Sequence, residues 1–143
     1  MATIASDALV FIGYIDHAMA FDTAGEAFPL YIAYDPNATY KGTVFTCPAI
    51  GWYEVTASVP VLGAGDAGAP AAGSAVSIQF ENSVSPSNGQ KNYTTSNVNV
   101  IKYRNVISMN AGDTKHFALY TDTVANSTKV IPGNGYIEIK RVS

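Results

Sequence analysis

Apolar and polar residues alternate with a period of two along most of this chain. From Gly51 to Val61 the residues Tyr53, Val55, Ala57, Val59 and Val61 fall on one side, and Trp52, Glu54, Thr56 and Ser58 fall on the other. That pattern predicts one long strand with a single buried face. Val76, Ile78 and Phe80 alternate with Ser77, Gln79 and Glu81, while Val98 and Val100 alternate with Asn97 and Asn99. Ile137 and Ile139 alternate with Tyr136, Glu138 and Lys140. These predict half-buried antiparallel strands. Helical spacing is not sustained anywhere, because Gly, Pro, Asn, Thr and Ser interrupt nearly every window.

Turn chemistry separates the alternating segments. Asp35-Pro36-Asn37, Ser87-Asn88-Gly89, Ala111-Gly112-Asp113 and Pro132-Gly133-Asn134-Gly135 supply residues that pre-set a turn or tolerate positive φ. The stretch Leu62 to Ala75 is low in large side chains and reads as an exposed loop between two strands. Many short strands punctuated by turns predict a β-sandwich or barrel, and 143 residues suffice for one domain with its own core.

The segment Tyr34 to Val59 carries a more specific signal. Phe45-Thr46-Cys47-Pro48 is followed by Gly51, Tyr53 and Val55; later come Ile107-Ser108-Met109-Asn110-Ala111-Gly112-Asp113 and Gly135-Tyr136-Ile137-Glu138-Ile139. In order and spacing, over about residues 18 to 143, these landmarks resemble the globular heads of complement component one-q and its relatives in the tumour-necrosis-factor superfamily. The resemblance implies an all-β fold, an antiparallel jelly-roll β-sandwich assembling as a homotrimer around a threefold axis. It implies that inner-sheet aromatic and aliphatic residues meet there, with Trp52, Tyr53, Val55, Tyr136 and Ile137 as the trimer-interface candidates. The family's calcium ligands are not matched in this chain, and fold alone does not assign function.

Composition adds an independent reason to expect assembly. Only 13% of residues are charged, against about 25% in an ordinary soluble domain, although 48% are hydrophobic. A surface so poor in charge is expected to be covered in part by another molecule. Charge is also unevenly placed. Residues 1 to 40 hold five acids (Asp7, Asp16, Asp22, Glu26, Asp35) and no base, so they carry −5 while the remainder carries +2. A net charge of −3 without a basic cluster argues against a nucleic-acid partner. The longest apolar run, Ala8 to Ile15, is far short of the roughly 20 residues that span a bilayer, so no membrane partner is expected. No Lys or Arg precedes that run, which argues against a secretory signal and predicts synthesis in a cytoplasm.

Candidate chemistry is sparse. Cys47 and His116 form a conceivable thiol-imidazole pair, but Cys47 precedes Pro48 at a strand end without a nucleophile signature. Asp113 and His116 are too few for a metal centre, Asp113 instead suiting a turn cap and His116 a half-exposed strand position. His17 beside Asp16 reads as a solvated pair. Gly63 to Gly68 has the glycines of a phosphate loop without its Lys or its strand-to-helix setting. Asn37, Asn92 and Asn126 begin glycosylation acceptor patterns. The sequence therefore predicts no enzyme, no cofactor and no metal. Trp52, opposite the Tyr53 face, is left between subunit contact and ligand contact.

Two functional readings follow. The first is a virion structural protein, a trimeric capsid decoration or cement protein on a bacteriophage head, with the major capsid protein as partner. In it residues 1–17 form an arm or added strand, residues 18–143 form the jelly roll, and Leu9, Phe11, Ile12, Tyr14 and Ile15 pair with a neighbouring sheet edge. The alternative is a trimeric head, in a tail fibre or secreted, that binds a glycan or host receptor through loops such as Leu62 to Ala75 and Asn82 to Asn92.

Overall fold

Alternation of period two builds two antiparallel sheets that face each other. The computed structural model describes residues 8–15, 20–21, 26–27, 30–61, 75–82, 90–93, 99–121, 128–129 and 135–143. In chain order the strands are β1 (Ala8–Tyr14), β2 (Ala20–Phe21), β3 (Glu26–Ala27), β4 (Tyr31–Tyr34), β5 (Tyr40–Lys41), β6 (Val44–Thr46), β7 (Gly51–Val61), β8 (Ala75–Glu81), β9 (Gln90–Tyr93), β10 (Asn99–Met109), β11 (Thr114–Thr121), β12 (Thr128–Lys129) and β13 (Tyr136–Arg141). One sheet has the order β10-β7-β13-β1-β4. The other runs β5-β6-β11-β8-β9, with β3 also paired to β11, and β12 pairs with β2 apart from both. The chain crosses repeatedly from one large sheet to the other, with the hairpins β5–β6 and β8–β9 kept within one sheet, and β1 lies beside β13, as in a jelly roll.

The predicted strand Gly51–Val61 forms with those bounds, and Tyr53, Val55, Ala57 and Val59 are buried on its inner face. Ile137 and Ile139 join them from β13. Aromatic rings then bridge the sheets. Phe11 stacks on Tyr40 with centroids 5.0 Å apart, and Tyr40 leads to Phe117 at 6.3 Å. Phe117 lies 4.5 Å from Phe80, which meets Phe45 at 5.6 Å. Offset and tilted contacts of this kind suit the ring quadrupole, and each buried ring contributes on the order of 1.5–3 kcal/mol through burial alone.

Local devices set these rings in place. Between Leu9 and Phe11 the register of β1 against β13 shifts by one residue. That bulge puts Val10 and Phe11 both inside, where strict alternation would expose one of them. Gly13 then lies under the Phe11 ring; a Cβ there would sit 2.8 Å from it. Ahead of Tyr40, the Asp35 carboxylate accepts from the Thr39 N–H (2.8 Å), the Thr39 hydroxyl (2.7 Å) and the Tyr40 N–H (3.0 Å). It thereby closes the predicted Asp35-Pro36-Asn37 turn. In the predicted turn at Gly112, φ is +89° and the Asn110 N–H donates to the Asp113 carboxylate at 2.8 Å, so Asp113 is the expected turn cap.

Three expectations change. Val100 is 52% exposed and Ile101 is buried, so the inner face of β10 runs through Ile101, Tyr103 and Met109 rather than through Val100. Val98, which suggested that phase, lies outside the described residues, and the longer apolar series beginning at Ile101 decides it. Second, β8 is covered on both faces, since Ser77 and Gln79 are buried together with Ile78 and Phe80. Third, Ala8–Tyr14 is an interior strand of the chain's own sheet, bonded to β13 on one edge and β4 on the other. The sandwich therefore already includes Ala8, ahead of the expected start at residue 18. Of the predicted loop Leu62 to Ala75, residues 62–74 lie outside the described residues and Ala75 instead opens β8, while the turn at Ser87-Asn88-Gly89 and residues 132–134 of the last turn also lie outside them.

Candidate functional site

The outer face of the five-stranded sheet holds an unusual set of side chains for a solvated surface. Backbone register arranges them in rows across the strands. One row reads Lys102, Ser58, Tyr136, Tyr14, Tyr31, and the next reads Arg104, Thr56, Glu138, Ile12, Tyr34. Beyond these come Val106, Glu54, Lys140 and Leu9, and then Ser108 with Trp52. Trp52 is 51% exposed and Tyr31 61%, and Tyr14, Tyr34 and Val106 are exposed as well.

The face divides into three zones. Tyr136, Tyr14 and Tyr31 stand side by side towards the β4 edge, with Ile12 and Tyr34 adjoining them. At the diagonally opposite corner are Trp52 and Val106, beside the exposed Ile50 that precedes β7. Between them runs a charged band. Arg104 donates to the Glu54 carboxylate from Nε at 3.1 Å and Nη2 at 2.6 Å, and Lys140 approaches the second Glu54 oxygen at 3.6 Å. The Arg104 hydrogen bond holds the Glu54 carboxyl below its ordinary value, desolvation partly opposing it. An open depression of about 360 Å³ lies at the end of this band, lined by Thr56, Ala57, Ser58, Lys102, Tyr103, Arg104 and Tyr136.

The residues predicted to make contacts divide between the two faces. Trp52 and Tyr136 lie on the outer face, Trp52 exposed and Tyr136 half-buried. Tyr53, Val55 and Ile137 are fully buried in the chain's own core, so they cannot also form a subunit interface. The same alternation that pairs Tyr53 with the core sends Trp52 outward. Of the five residues expected in a docking arm, Phe11 and Ile15 are buried in the core. Leu9, Ile12 and Tyr14 sit on the outer face of a strand whose two edges are both occupied, so β1 has no free edge to add to a neighbour. Sequence reasoning missed Tyr31, Tyr34 and Val106. The Tyr-Ile-Ala-Tyr spacing of β4 was a usable signal for the first two, given a strand there.

Cys47 and His116 do not make a nucleophile pair. The Cys47 thiol is buried and donates to the Ala49 carbonyl at 3.1 Å, and the Tyr53 hydroxyl donates to the same oxygen. Burial pushes the Cys47 pKa up, which disfavours the reactive thiolate. Tyr53, desolvated and bonded to Cys47, has its pKa raised as well. Among the described residues no three His, Cys, Asp or Glu side chains are grouped so as to hold a metal ion.

No family model matches the chain, and no curated protein matches it by sequence. Solved structures do match in shape. The globular domain of zebrafish complement 1qA superposes with a TM-score of 0.63 at 11% identity, over 93% of this chain and 96% of that one. Murine APRIL at pH 5.0 gives 0.61 at 11% identity, covering 93% and 98%. The Eiger TNF of S. frugiperda gives 0.57 at 12% identity, covering 94% and 93%. At such identities the likeness speaks for architecture alone. Nearly end to end, the chain has the jelly-roll fold shared by complement one-q heads and tumour-necrosis-factor proteins.

Proposed function

We propose that this chain is a non-enzymatic recognition module that works as a homotrimer, with the outer face of the five-stranded sheet buried between copies. The observation that carries this reading is the exposure of Trp52, Tyr14, Tyr31, Tyr34 and Val106 on one face of a chain with only 13% charged residues. Cyclic threefold assembly joins two different patches on each subunit. This face supplies two, the tyrosine corner towards β4 and the Trp52, Ile50 and Val106 corner on β7 and β10. Aromatic side chains suit such contacts because they bury large areas with few rotatable bonds. The fold shared with complement one-q heads and tumour-necrosis-factor proteins supports the same reading.

A decoration protein on a virus head remains the less supported reading. Its distinctive element was a strand reaching sideways from the first 17 residues, and Ala8–Tyr14 is instead fixed inside the sandwich.

Trp52 is the single tryptophan of the chain and reports directly on the proposed interface. Quenching of its fluorescence by acrylamide is expected to be weak at micromolar protein and to rise to that of a half-exposed indole on dilution to nanomolar. Strong quenching unchanged across that range would contradict the assignment.

A further inference from the structure

The Gly51-Trp52-Tyr53 landmark of β7 lies at the corner where Ile50 and Trp52 stand exposed. Arg141, at the end of β13, is opposite Tyr53 and shares the inward phase of Ile137 and Ile139. Its side chain crosses Gly51: a Cβ on that residue would lie 2.5 Å from Arg141 Nε and 3.2 Å from Nη2. Glycine is the residue that allows so close an approach. Arg141 Nη2 then donates to the Ile50 carbonyl at 2.9 Å. The preceding carbonyl, of Ala49, accepts from the Cys47 thiol at 3.1 Å and from the Tyr53 hydroxyl. Cys47 is itself tied to the Gly112 turn, its N–H donating to the Asp113 carbonyl and its carbonyl accepting from the Gly112 N–H, both at 2.8 Å. Two successive carbonyls ahead of β7 are thus held by side chains from the core and from the last strand.

Trp52 is held through its main chain. An unbroken antiparallel ladder would have Val142 exchange both bonds with Trp52. Here the Val142 N–H donates to the Trp52 carbonyl at 2.8 Å, while the Trp52 N–H donates to the Ser143 carbonyl at 3.2 Å. Two residues thus serve one, as in a β-bulge, a device that re-aims side chains. A Cβ on Gly51 would lie 2.6 Å from that same Ser143 carbonyl oxygen, so the bulge also needs glycine there. What these bonds present is apolar, with Ile50 66% and Trp52 51% exposed. Fixing exposed apolar residues before contact lowers the ordering cost of association. We propose that Arg141 is the positioning residue of this corner, holding Ile50 and Trp52 in the pose that a second copy of the chain takes up. The inference rests on the trimer reading for its partner and adds the residue that pre-organises the contact. Arg141 bonds to the chain's own loop and acts through Ile50 and Trp52.

The test uses two variants of the full chain. Arg141→Met keeps an unbranched apolar stem and removes the donors, and Arg141→Lys restores a shorter one. In dilute single chains, the time-resolved anisotropy of Trp52, the only tryptophan, is expected to gain fast rotation in Arg141→Met, with Arg141→Lys between it and the unmodified chain. In sedimentation, Arg141→Met is expected to raise the concentration at which trimers form about tenfold, and Arg141→Lys about threefold. Circular dichroism checks folding, and if Arg141→Met fails that control, Arg141→Lys carries the comparison. A second background separates positioning from a merely structural role. Added to Trp52→Ala, at the higher concentrations that variant needs, Arg141→Met should raise the trimer midpoint by less than about threefold, because its effect passes largely through Trp52. Equal increments in the two backgrounds, or an unchanged Trp52 decay, overturn the proposal. A single chain at every concentration refutes the trimer, and the Trp52 decay then still decides whether Arg141 fixes the corner. A trimer whose midpoint ignores Arg141 refutes the positioning role alone.

Discussion

The two sheets of this sandwich invert each other's use of burial. On the five-stranded sheet, outward positions hold Trp52, Tyr14, Tyr31 and Val106, which are large, apolar and exposed. On the other sheet, the alternate positions of β8 hold Ser77 and Gln79, which are polar and buried. A single chain thus hides polar groups on one sheet while leaving aromatics in water on the other. Burying a polar group requires hydrogen-bond partners within the fold, whereas exposing an aromatic face costs little in an isolated chain and yields binding energy once a partner covers it. The alternate positions of β8 are buried within the chain's own fold, whereas the outer face of the five-stranded sheet is the one we propose a second copy covers.

That contrast predicts a graded set of responses. The largest comes from the aromatic bridge: Phe117→Ala opens a hole beside Phe80 and Tyr40 and is expected to cost about 3–5 kcal/mol in urea unfolding. Trp52→Ala, made at dilutions where the chain is single, should change unfolding by less than about 0.5 kcal/mol. Similar losses for both variants would break the distinction between the two faces. Next, Tyr31→Lys places a charge in the tyrosine corner and should convert trimer to single chains at micromolar concentration, with folding intact by circular dichroism. If Tyr31→Lys still sediments as a trimer, that corner is not the interface.

Gly13→Ala sharpens the account of the inner face. Its Cβ would sit 2.8 Å from the Phe11 ring, so the ring must move, and an overpacking cost of about 1–3 kcal/mol is expected in thermal or urea unfolding. The smallest effect concerns the charged band. Because the folded-state pKa of Glu54 is lowered, its pairing stabilises the fold above the unfolded carboxylate value, and that contribution is lost as pH falls through the folded value. Below the ordinary carboxylate pKa near 4.5, the wild-type urea midpoint should fall slightly more steeply than that of Glu54→Gln. Parallel profiles would remove Glu54 from the acid response.

Period-two alternation made the inner face readable wherever it ran unbroken, as in Tyr53 to Val59 and Ile137 to Ile139. It failed where geometry broke the period. The bulge at Val10 conceals β1 as a continuous apolar run, and a run of that kind reads equally well as a loose arm. The phase of β10 was hidden because its visible alternation rested on Val98, outside the described residues, and on Val100, which near the start of the strand is exposed where Ile101, Tyr103 and Met109 are buried. At the interaction face, the sequence pointed to Trp52 and Tyr136 but also to their inward neighbours. A motif such as Gly-x-Tyr marks a strand without saying which of its sides meets a partner. The three-tyrosine row is a product of register among β13, β1 and β4, strands far apart in the sequence, and no local pattern encodes that.

Sedimentation of the unmodified chain at micromolar concentration tests the central claim most directly. Three chains of 15.1 kDa should travel as one particle of about 45 kDa. A particle of 15 kDa at that concentration would contradict the account, because the aromatic face would then stand uncovered in a stable single chain.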